Sequence, residues 1–104
     1  MVRRLRTTAI NCSTIGDNTI ITGVSGKRIV ITSLVIVVGG ETNLTLYDGT
    51  TALSGPMDLG ASGEPRGFVS NHTEGGMILS TGNAFIINLS IGVQTSGFVS
   101  FYLD

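Results

Sequence analysis

The sequence predicts an all-β protein, an antiparallel β-sandwich with a jelly-roll-like topology and about eight or nine short strands. Three observations support this prediction. Apolar runs are short and rich in β-branched residues, turn residues separate them at intervals of about 8 to 12 residues, and no apolar pattern has a helical period. Without helices to cover a sheet, such strands bury their apolar faces by packing one sheet on another.

The stretch from Gly26 to Gly39 is predicted to be the central strand, because seven of its eight aliphatic residues are β-branched. Both alternating sets of side chains in this strand are largely apolar. A strand with one face in water would show a polar set on that face. We therefore expect a cover on each side of the strand, and a second subunit is one candidate for one of these covers.

The chain before and after this strand is divided by turn signals. A first strand from Thr7 to Ile15 and a second from Thr19 to Thr22 are separated by a turn at Gly16-Asp17-Asn18. A compact, hairpin-like connection from Gly39 to Thr42 follows the central strand. The next strand, Asn43 to Asp48, shows clean alternation that directs Leu44 and Leu46 to the core.

The second half of the chain begins at a strong turn signal, Asp48-Gly49. Pro56 lacks a donor for the ladder, so Met57 to Leu59 is expected at a sheet edge. The remaining elements are predicted as follows: a short strand from Thr50 to Leu53, a loop from Gly60 to Gly76 interrupted by a strand around Arg66 to Ser70, a strand from Met77 to Ser80, a turn at Thr81 to Asn83, a strand from Ala84 to Ile91 with Phe85, Ile87, Leu89 and Ile91 on one face, a hairpin connection from Gly92 to Gly97, and a core strand from Phe98 to Leu103.

The charge pattern divides the chain into a short basic N-terminal arm, residues 1–6, and a single β-sandwich domain, residues 7–104. Three of the six basic residues lie in the arm, and a nucleic-acid arm is one interpretation of them. Three arginines without a basic face on the domain would give only a weak phosphate footprint, so a solvated or partner-docking terminus is favoured over a nucleic-acid contact. Candidate contacts with a protein partner come from the arm and from the Gly60 to Gly76 loop: Arg3, Arg4, Arg6, Glu64, Arg66, His72 and Glu74.

The residue inventory predicts a protein that is not an enzyme and that holds no metal and no cofactor. Cys12 is the only cysteine and His72 the only histidine, so neither an internal disulfide nor a Cys/His metal cluster can form. No nucleophile and base occur in an order that supports catalysis. We expect Cys12 to be a small buried apolar residue. The longest apolar run, Leu34 to Val38, is too short to span a membrane.

Low charge indicates permanent contacts with other proteins. Charged residues make up 12% of the chain, about half the usual share. Such a surface gives little protection against association. Association is also the remaining way to add stability to a small domain that has no disulfide.

Three stretches resemble small β-sandwich virion proteins of tailed bacteriophages. They are Gly26-Lys27-Arg28-Ile29 at the start of the long strand, Thr50 to Met57 at the middle turn, and Gly82-Asn83-Ala84-Phe85 leading to Asn88-Leu89-Ser90. Their order and spacing are similar to that family over most of Gly16 to Leu103.

This resemblance implies a virion structural protein, most simply an oligomeric capsid decoration or cement protein that binds and stabilises the phage head. The implied partners are other copies of the chain, with a homotrimer favoured over a dimer, and the major capsid protein or another virion protein. The implied location is the virion, after synthesis in the host cytoplasm. The resemblance carries no catalytic residue. The alternative is a tail or head-fibre module that binds a receptor as a lectin does, although the chain offers few aromatic faces and no Trp.

Overall fold

The computed structural model describes residues 4–72 and 75–104, and these residues form strands and no helix. In chain order the strands are β1 (Arg6–Cys12), β2 (Gly16–Ile21), β3 (Ile29–Val38), β4 (Thr42–Asp48), β5 (Thr51–Ala52), β6 (Met57–Leu59), β7 (Gly67–Asn71), β8 (Met77–Ile78), β9 (Phe85–Leu89) and β10 (Thr95–Leu103). The predicted all-β class is confirmed. Within these ranges no helix is long and apolar enough to cross a membrane.

The strands form two antiparallel sheets that pack against each other. The first sheet has the order β1-β10-β3, and both β7 and β8 pair with the far side of β3. The second sheet has the order β2-β9-β4, and both β5 and β6 pair with the far side of β4. Along the chain, successive strands alternate between the sheets except at β4 to β6 and at β7 to β8. This alternation is the jelly-roll arrangement that the sequence predicted.

The chain is folded as one long hairpin that is rolled into the two sheets. Its centre is the turn between β4 and β5, where Asp48 pairs with Thr51 and Gly49 adopts a φ of +60°. Further from this turn, Val35 pairs with Val69, and at the ends of the chain Thr7 pairs with Ser100. The first half of the chain therefore pairs with the second half in reverse order.

Several predicted turns have a different role from the one expected. The connections at Gly39 to Thr42 and at Gly92 to Gly97 are not hairpins, because each one joins a strand of one sheet to a strand of the other. The turn at Thr81 to Asn83 also crosses between the sheets. Turn residues show where the direction of the chain changes, but the same residues serve a hairpin and a corner.

The predicted turn at Gly16-Asp17-Asn18 is wrong, since these residues begin β2. Asn88 Nδ2 donates a hydrogen bond of 2.7 Å to Asp17 Oδ1 across the neighbouring strand. The Nδ2 group of Asn18 donates to the carbonyl oxygen of Thr14 at 2.8 Å. Aspartate and asparagine side chains are common in turns. In this segment one of them bonds to a neighbouring strand and the other bonds to the loop that precedes β2.

The core lies between the two sheets and contains the alternating apolar positions of both. Phe85, Ile87 and Leu89 of β9 are fully buried, as is Leu44 of β4, which confirms the core positions predicted for these strands. Ile91, expected on the same face as Phe85, is 49% exposed. The reason is that the chain leaves the second sheet after Leu89 and crosses to the first.

A β-bulge in β3 explains the two apolar faces of the central strand. The pairing of β10 with β3 passes from Ser100–Ser33 to Phe101–Ile31, so Thr32 is an extra residue in β3. Because side chains alternate, this extra residue switches the inward set. The residues that face the core are Ile29 and Ile31 before the bulge and Leu34, Ile36 and Val38 after it. The two apolar faces expected from the sequence are thus largely one core face.

Gly97 of β10 provides a test of the close strand packing in the first sheet. It lies between Ile10 of β1 and Ile36 of β3, with a φ of +144°, and an added Cβ atom would overlap the carbonyl oxygen of Val35. We expect Gly97→Ala to lower the free energy of unfolding by at least about 2 kcal/mol. Gly55→Ala is the control, because a Cβ there meets open space. Equal urea midpoints for the two variants would contradict this packing.

Asp48 fixes the central turn to the segment between β8 and β9. Its buried carboxylate accepts hydrogen bonds from Ser80 N at 3.0 Å, Ser80 Oγ at 3.1 Å and Asn83 Nδ2 at 2.9 Å. Asp48→Ala leaves these donors without a partner, so we expect a loss of about 2–4 kcal/mol in the free energy of unfolding. The exposed Asp58 of β6 is the control, and Asp58→Ala should change the free energy of unfolding by less than about 0.5 kcal/mol. Urea unfolding of both variants measures the difference, and a loss at position 48 as small as that at position 58 would show that these contacts contribute little.

Candidate interaction surface

The side of the first sheet that faces away from the core forms a broad surface, which we call the outer face of the first sheet. It consists of alternating residues from five strands: Thr7, Ala9, Asn11, Val30, Ser33, Val35, Val37, Gly67, Val69, Asn71, Ile78, Ser96, Phe98, Ser100 and Tyr102. None of these side chains is charged. The surface is apolar at its centre and hydroxyl-rich or amide-rich around that centre.

Four directly paired residues form an apolar row across this face. Ala9 of β1 pairs with Phe98 of β10, which pairs with Val35 of β3, which in turn pairs with Val69 of β7. Phe98 is 44% exposed and Val69 is 65% exposed, and the adjacent Val37 is 50% exposed. The row is therefore a continuous apolar strip in contact with solvent.

One end of the outer face is covered by the chain itself. Val30 belongs to this face but is only 1% exposed. The backbone of Gly76, which precedes β8, passes so close that a Cβ there would lie 2.7 Å from Val30 Cγ1. The expected cover over the central strand is therefore present at Val30, whereas the apolar row has no cover from the described residues.

The outer face of the second sheet differs in its charge. It presents Asp17 from β2 and Asp58 from β6, each directly opposite an asparagine, Asn88 and Asn43. The hydrogen bond between Asp17 and Asn88 lies on this face. Charged and amide groups of this kind keep a sheet face hydrated. The two outer faces thus have different chemistry, and the outer face of the first sheet is the stronger candidate for a protein contact.

The predicted contact residues lie at two opposite ends of the first sheet. Arg4 precedes β1 and Arg6 begins it, at the end of the sheet where His72 follows β7. Glu64 and Arg66 precede β7 and lie at the other end. Because β7 separates them, Arg66 and His72 are about 20 Å apart. Arg3 and Glu74 lie outside the described residues.

The side-chain hydrogen bonds of Glu64 and His72 are both local. Glu64 Oε1 accepts from the backbone N–H of Ala61 at 3.1 Å and closes its own loop. His72 Nε2 lies 2.9 Å from Ser70 Oγ. Within the described part of the chain, no hydrogen bond or ion pair joins any two of the predicted contact residues. Their role as contacts with a protein partner stays a prediction, and it concerns two separate groups, one at each end of the first sheet.

The exposed apolar residues of the outer face were missed by the sequence reasoning. Phe98 was placed in the core with the rest of its strand, whereas Phe101 is the buried phenylalanine of β10. The alternation in β10 contains the necessary signal, because Val99 and Phe101 define the inward set and leave Phe98 outside. Val69 carried no comparable signal, since its strand is short and follows an irregular loop.

Cys12 lies beside a cleft between β1 and β2. The cleft has a volume of about 410 Å³ and is lined mainly by polar residues, including Asn11, Thr14, Asn18 and Thr19. Cys12 is half-buried and packs against the core, and burial raises the pKa of its thiol. Residues 4–72 and 75–104 contain no cluster of three His, Cys, Asp or Glu side chains that could hold a metal ion.

No family model matches this chain, and no curated protein and no solved structure matches it.

The raised pKa of Cys12 predicts low thiol reactivity in the folded protein. At pH 8 the folded chain has a smaller thiolate fraction than the chain unfolded in urea, so iodoacetamide should react more slowly with it. As the pH rises, the Cys12 thiol of the folded state also keeps its proton after the thiol of the unfolded state has released it. The stability associated with this group is therefore complete below about pH 8.5 and decreases as the pH rises above that value. Equal alkylation rates for folded and unfolded protein would contradict the effect of burial.

Proposed function

We propose that this chain is a structural protein of a virion, an oligomeric decoration protein that binds and stabilises a phage head. We further propose that the outer face of the first sheet is its main protein-binding surface. The observation that carries this proposal is the exposed, uncharged apolar row of Ala9, Phe98, Val35 and Val69.

The size and composition of the outer face suit a stable protein contact. The outer face is four strand positions wide and as long as β10, which has nine residues. At the usual strand spacing and rise, these values correspond to roughly 19 Å by 30 Å. A surface of this size can contribute much of the ~800 Å² that each partner buries in a standard interface. The central part of such interfaces is depleted of charge and enriched in aromatic residues. Phe98 in the apolar row, with hydroxyl groups around it, fits this description.

The virion part of the proposal is supported by the resemblance and by the architecture. The three stretches that carry the resemblance lie at the start of β3, from the turn before β5 to the start of β6, and from the turn before β9 to the end of that strand. Jelly-roll domains occur among capsid proteins and also among lectins. Because a fold alone does not determine function, the outer face and the resemblance are both needed for the proposal. The arm and the Gly60 to Gly76 loop are retained as contacts with the shell.

The proposal predicts that the chain is a stoichiometric part of purified particles. Mass spectrometry of particles from the source culture should detect it after washing at high salt, since apolar contacts are not screened. Val69→Lys places a charge in the apolar row and should lower its occupancy on particles at least tenfold, because the ammonium group would have to be desolvated in the contact.

Ala52→Lys is the matched control, because Ala52 is an exposed strand residue that pairs with Tyr47 on the outer face of the second sheet. Thermal unfolding of both variants must resemble that of the parent chain for the comparison to hold. Absence of the chain from purified particles would overturn the virion assignment. Equal loss of occupancy for both variants would overturn the role of the outer face.

The alternative function is a receptor-binding, lectin-like module of a tail or head fibre. The observation that favours it is the polar cleft between β1 and β2, whose volume of about 410 Å³ lies in the range of small-molecule sites. Its amide and hydroxyl groups could bond sugar hydroxyls. Saturable binding on a glycan array, lost in Asn11→Ala, would support this alternative, whereas an array without binding would remove its support.

A further inference from the structure

The four edges of the two sheets differ in how they are protected against pairing with another strand. β2 carries Asp17 and an irregular register near Ile21. The edge beside β4 consists of the two-residue β5 and the three-residue β6, with Pro56 between them. The edge beside β3 is divided between β7 and β8. Short strands, charges, bulges and prolines are the features by which natural proteins protect their edges.

β1 has none of these protections except for one charge at its start. Its seven residues pair with β10 in an unbroken register, without proline or bulge, and Arg6 at the first position is its only charged residue. In the described structure it pairs with no other strand. It is therefore a regular strand with one open edge.

The hydrogen-bond pattern shows which residues of β1 point to this open edge. Arg28 and Asp104 exchange two backbone hydrogen bonds of 2.9 Å, and Gly39 N donates to Gln94 O at 2.7 Å. Antiparallel strands alternate between bonded and non-bonded pairs. The even-numbered residues of β10 therefore bond to β3 and the odd-numbered ones to β1. As a result, Thr7, Ala9 and Asn11 direct their backbone N–H and C=O groups away from β10.

We infer that β1 pairs with β1 of a second copy of this chain, antiparallel and centred on Ala9. In this arrangement Ala9 faces Ala9 of the second copy, and Thr7 faces Asn11 on either side, which gives about six backbone hydrogen bonds. The arrangement is self-complementary, as a two-fold contact requires. It also joins the apolar rows of the two copies end to end, because Ala9 is the terminal residue of the row.

The space and the charges at the edge are compatible with this pairing. The cleft between β1 and β2 lies beside Ala9 and Asn11, so β2 does not close the edge. Arg6 of one copy faces Cys12 of the other, which places the two Arg6 residues about 20 Å apart along the strands. This distance exceeds the Debye length of about 8 Å at physiological salt, so their repulsion is screened.

This inference rests on the proposed self-association of the chain and specifies its geometry. A two-fold contact gives assemblies with an even number of subunits, and the smallest has twice the 10.8 kDa of the chain. The resemblance instead implies a homotrimer. The mass in solution, measured by light scattering behind a sizing column, distinguishes these two assemblies.

The pairing register is tested with cysteine variants in a Cys12→Ala background, oxidised with copper phenanthroline. In a hydrogen-bonded antiparallel pair the Cα atoms are about 5.5 Å apart, within the reach of a disulfide. Ala9→Cys should therefore form a covalent dimer. Thr7→Cys alone should not, because the two Thr7 residues are about 13 Å apart. A mixture of Thr7→Cys and Asn11→Cys chains should form the mixed dimer. Ala52→Cys, on the exposed strand β5 at the opposite edge of the second sheet, is the control for random collision.

The outcomes separate this inference from the proposed function. Two results together support the β1 pairing. The mass in solution is that of two or four chains, and disulfides form both in Ala9→Cys and in the mixture of Thr7→Cys and Asn11→Cys chains. A mass of three chains, or an assembly in which position 9 cross-links no faster than position 52, overturns the pairing and leaves the proposed oligomer intact. A mass of 10.8 kDa at 50 µM overturns self-association itself. Ala9→Pro, which removes an N–H group that points to solvent in the single chain, should shift the assembly to monomers, whereas Ala9→Ser should not.

Discussion

The whole fold depends on the pairing of the first half of the chain with the second half around the turn at Gly49. The positive φ of Gly49 allows the tight reversal, and the buried carboxylate of Asp48 holds the segment between β8 and β9 against it. Every other strand pair is less local than the pairs at this turn. The least local is β1 with β10, where Arg6 pairs with Phe101. Because non-local pairs form late and slowly, β1 is without a partner until nearly the entire chain is available.

The bulge at Thr32 determines what the central strand presents to solvent. Before the bulge the odd-numbered residues of β3 face the core, and after it the even-numbered residues do so. The bulge therefore allows a strand of mostly β-branched residues to direct its bulkiest members inward along its full length. The remaining apolar residues, Val30, Val35 and Val37, are left on the outer face, where Val35 continues the row from Phe98. The bulge thus shapes both the core and the outer face.

The sequence was sufficient to predict the fold class, and the reason is visible in β4 and β9. Their alternation is clean, and Leu44, Phe85 and Leu89 are buried as predicted. The sequence could not show which turns are corners between sheets, because a glycine-rich connection is compatible with either geometry. It also could not show that Arg66 and His72, six positions apart, lie at opposite ends of the sheet. The outer face required the register, since Phe98 and Phe101 look alike in the sequence.

The distribution of charge connects the outer face to the open edge. Within residues 4–72 and 75–104, no charged residue lies at the strand positions that form the outer face of the first sheet, whereas the outer face of the second sheet carries Asp17 and Asp58. A single charged side chain on the face or at the centre of β1 would be enough to oppose association there. Both features are unprotected, and Ala9 belongs to both of them. An isolated subunit would expose an apolar row and an unpaired strand edge that meet at one residue. We therefore infer that the first sheet is the side of this molecule that is covered in the proposed assembly.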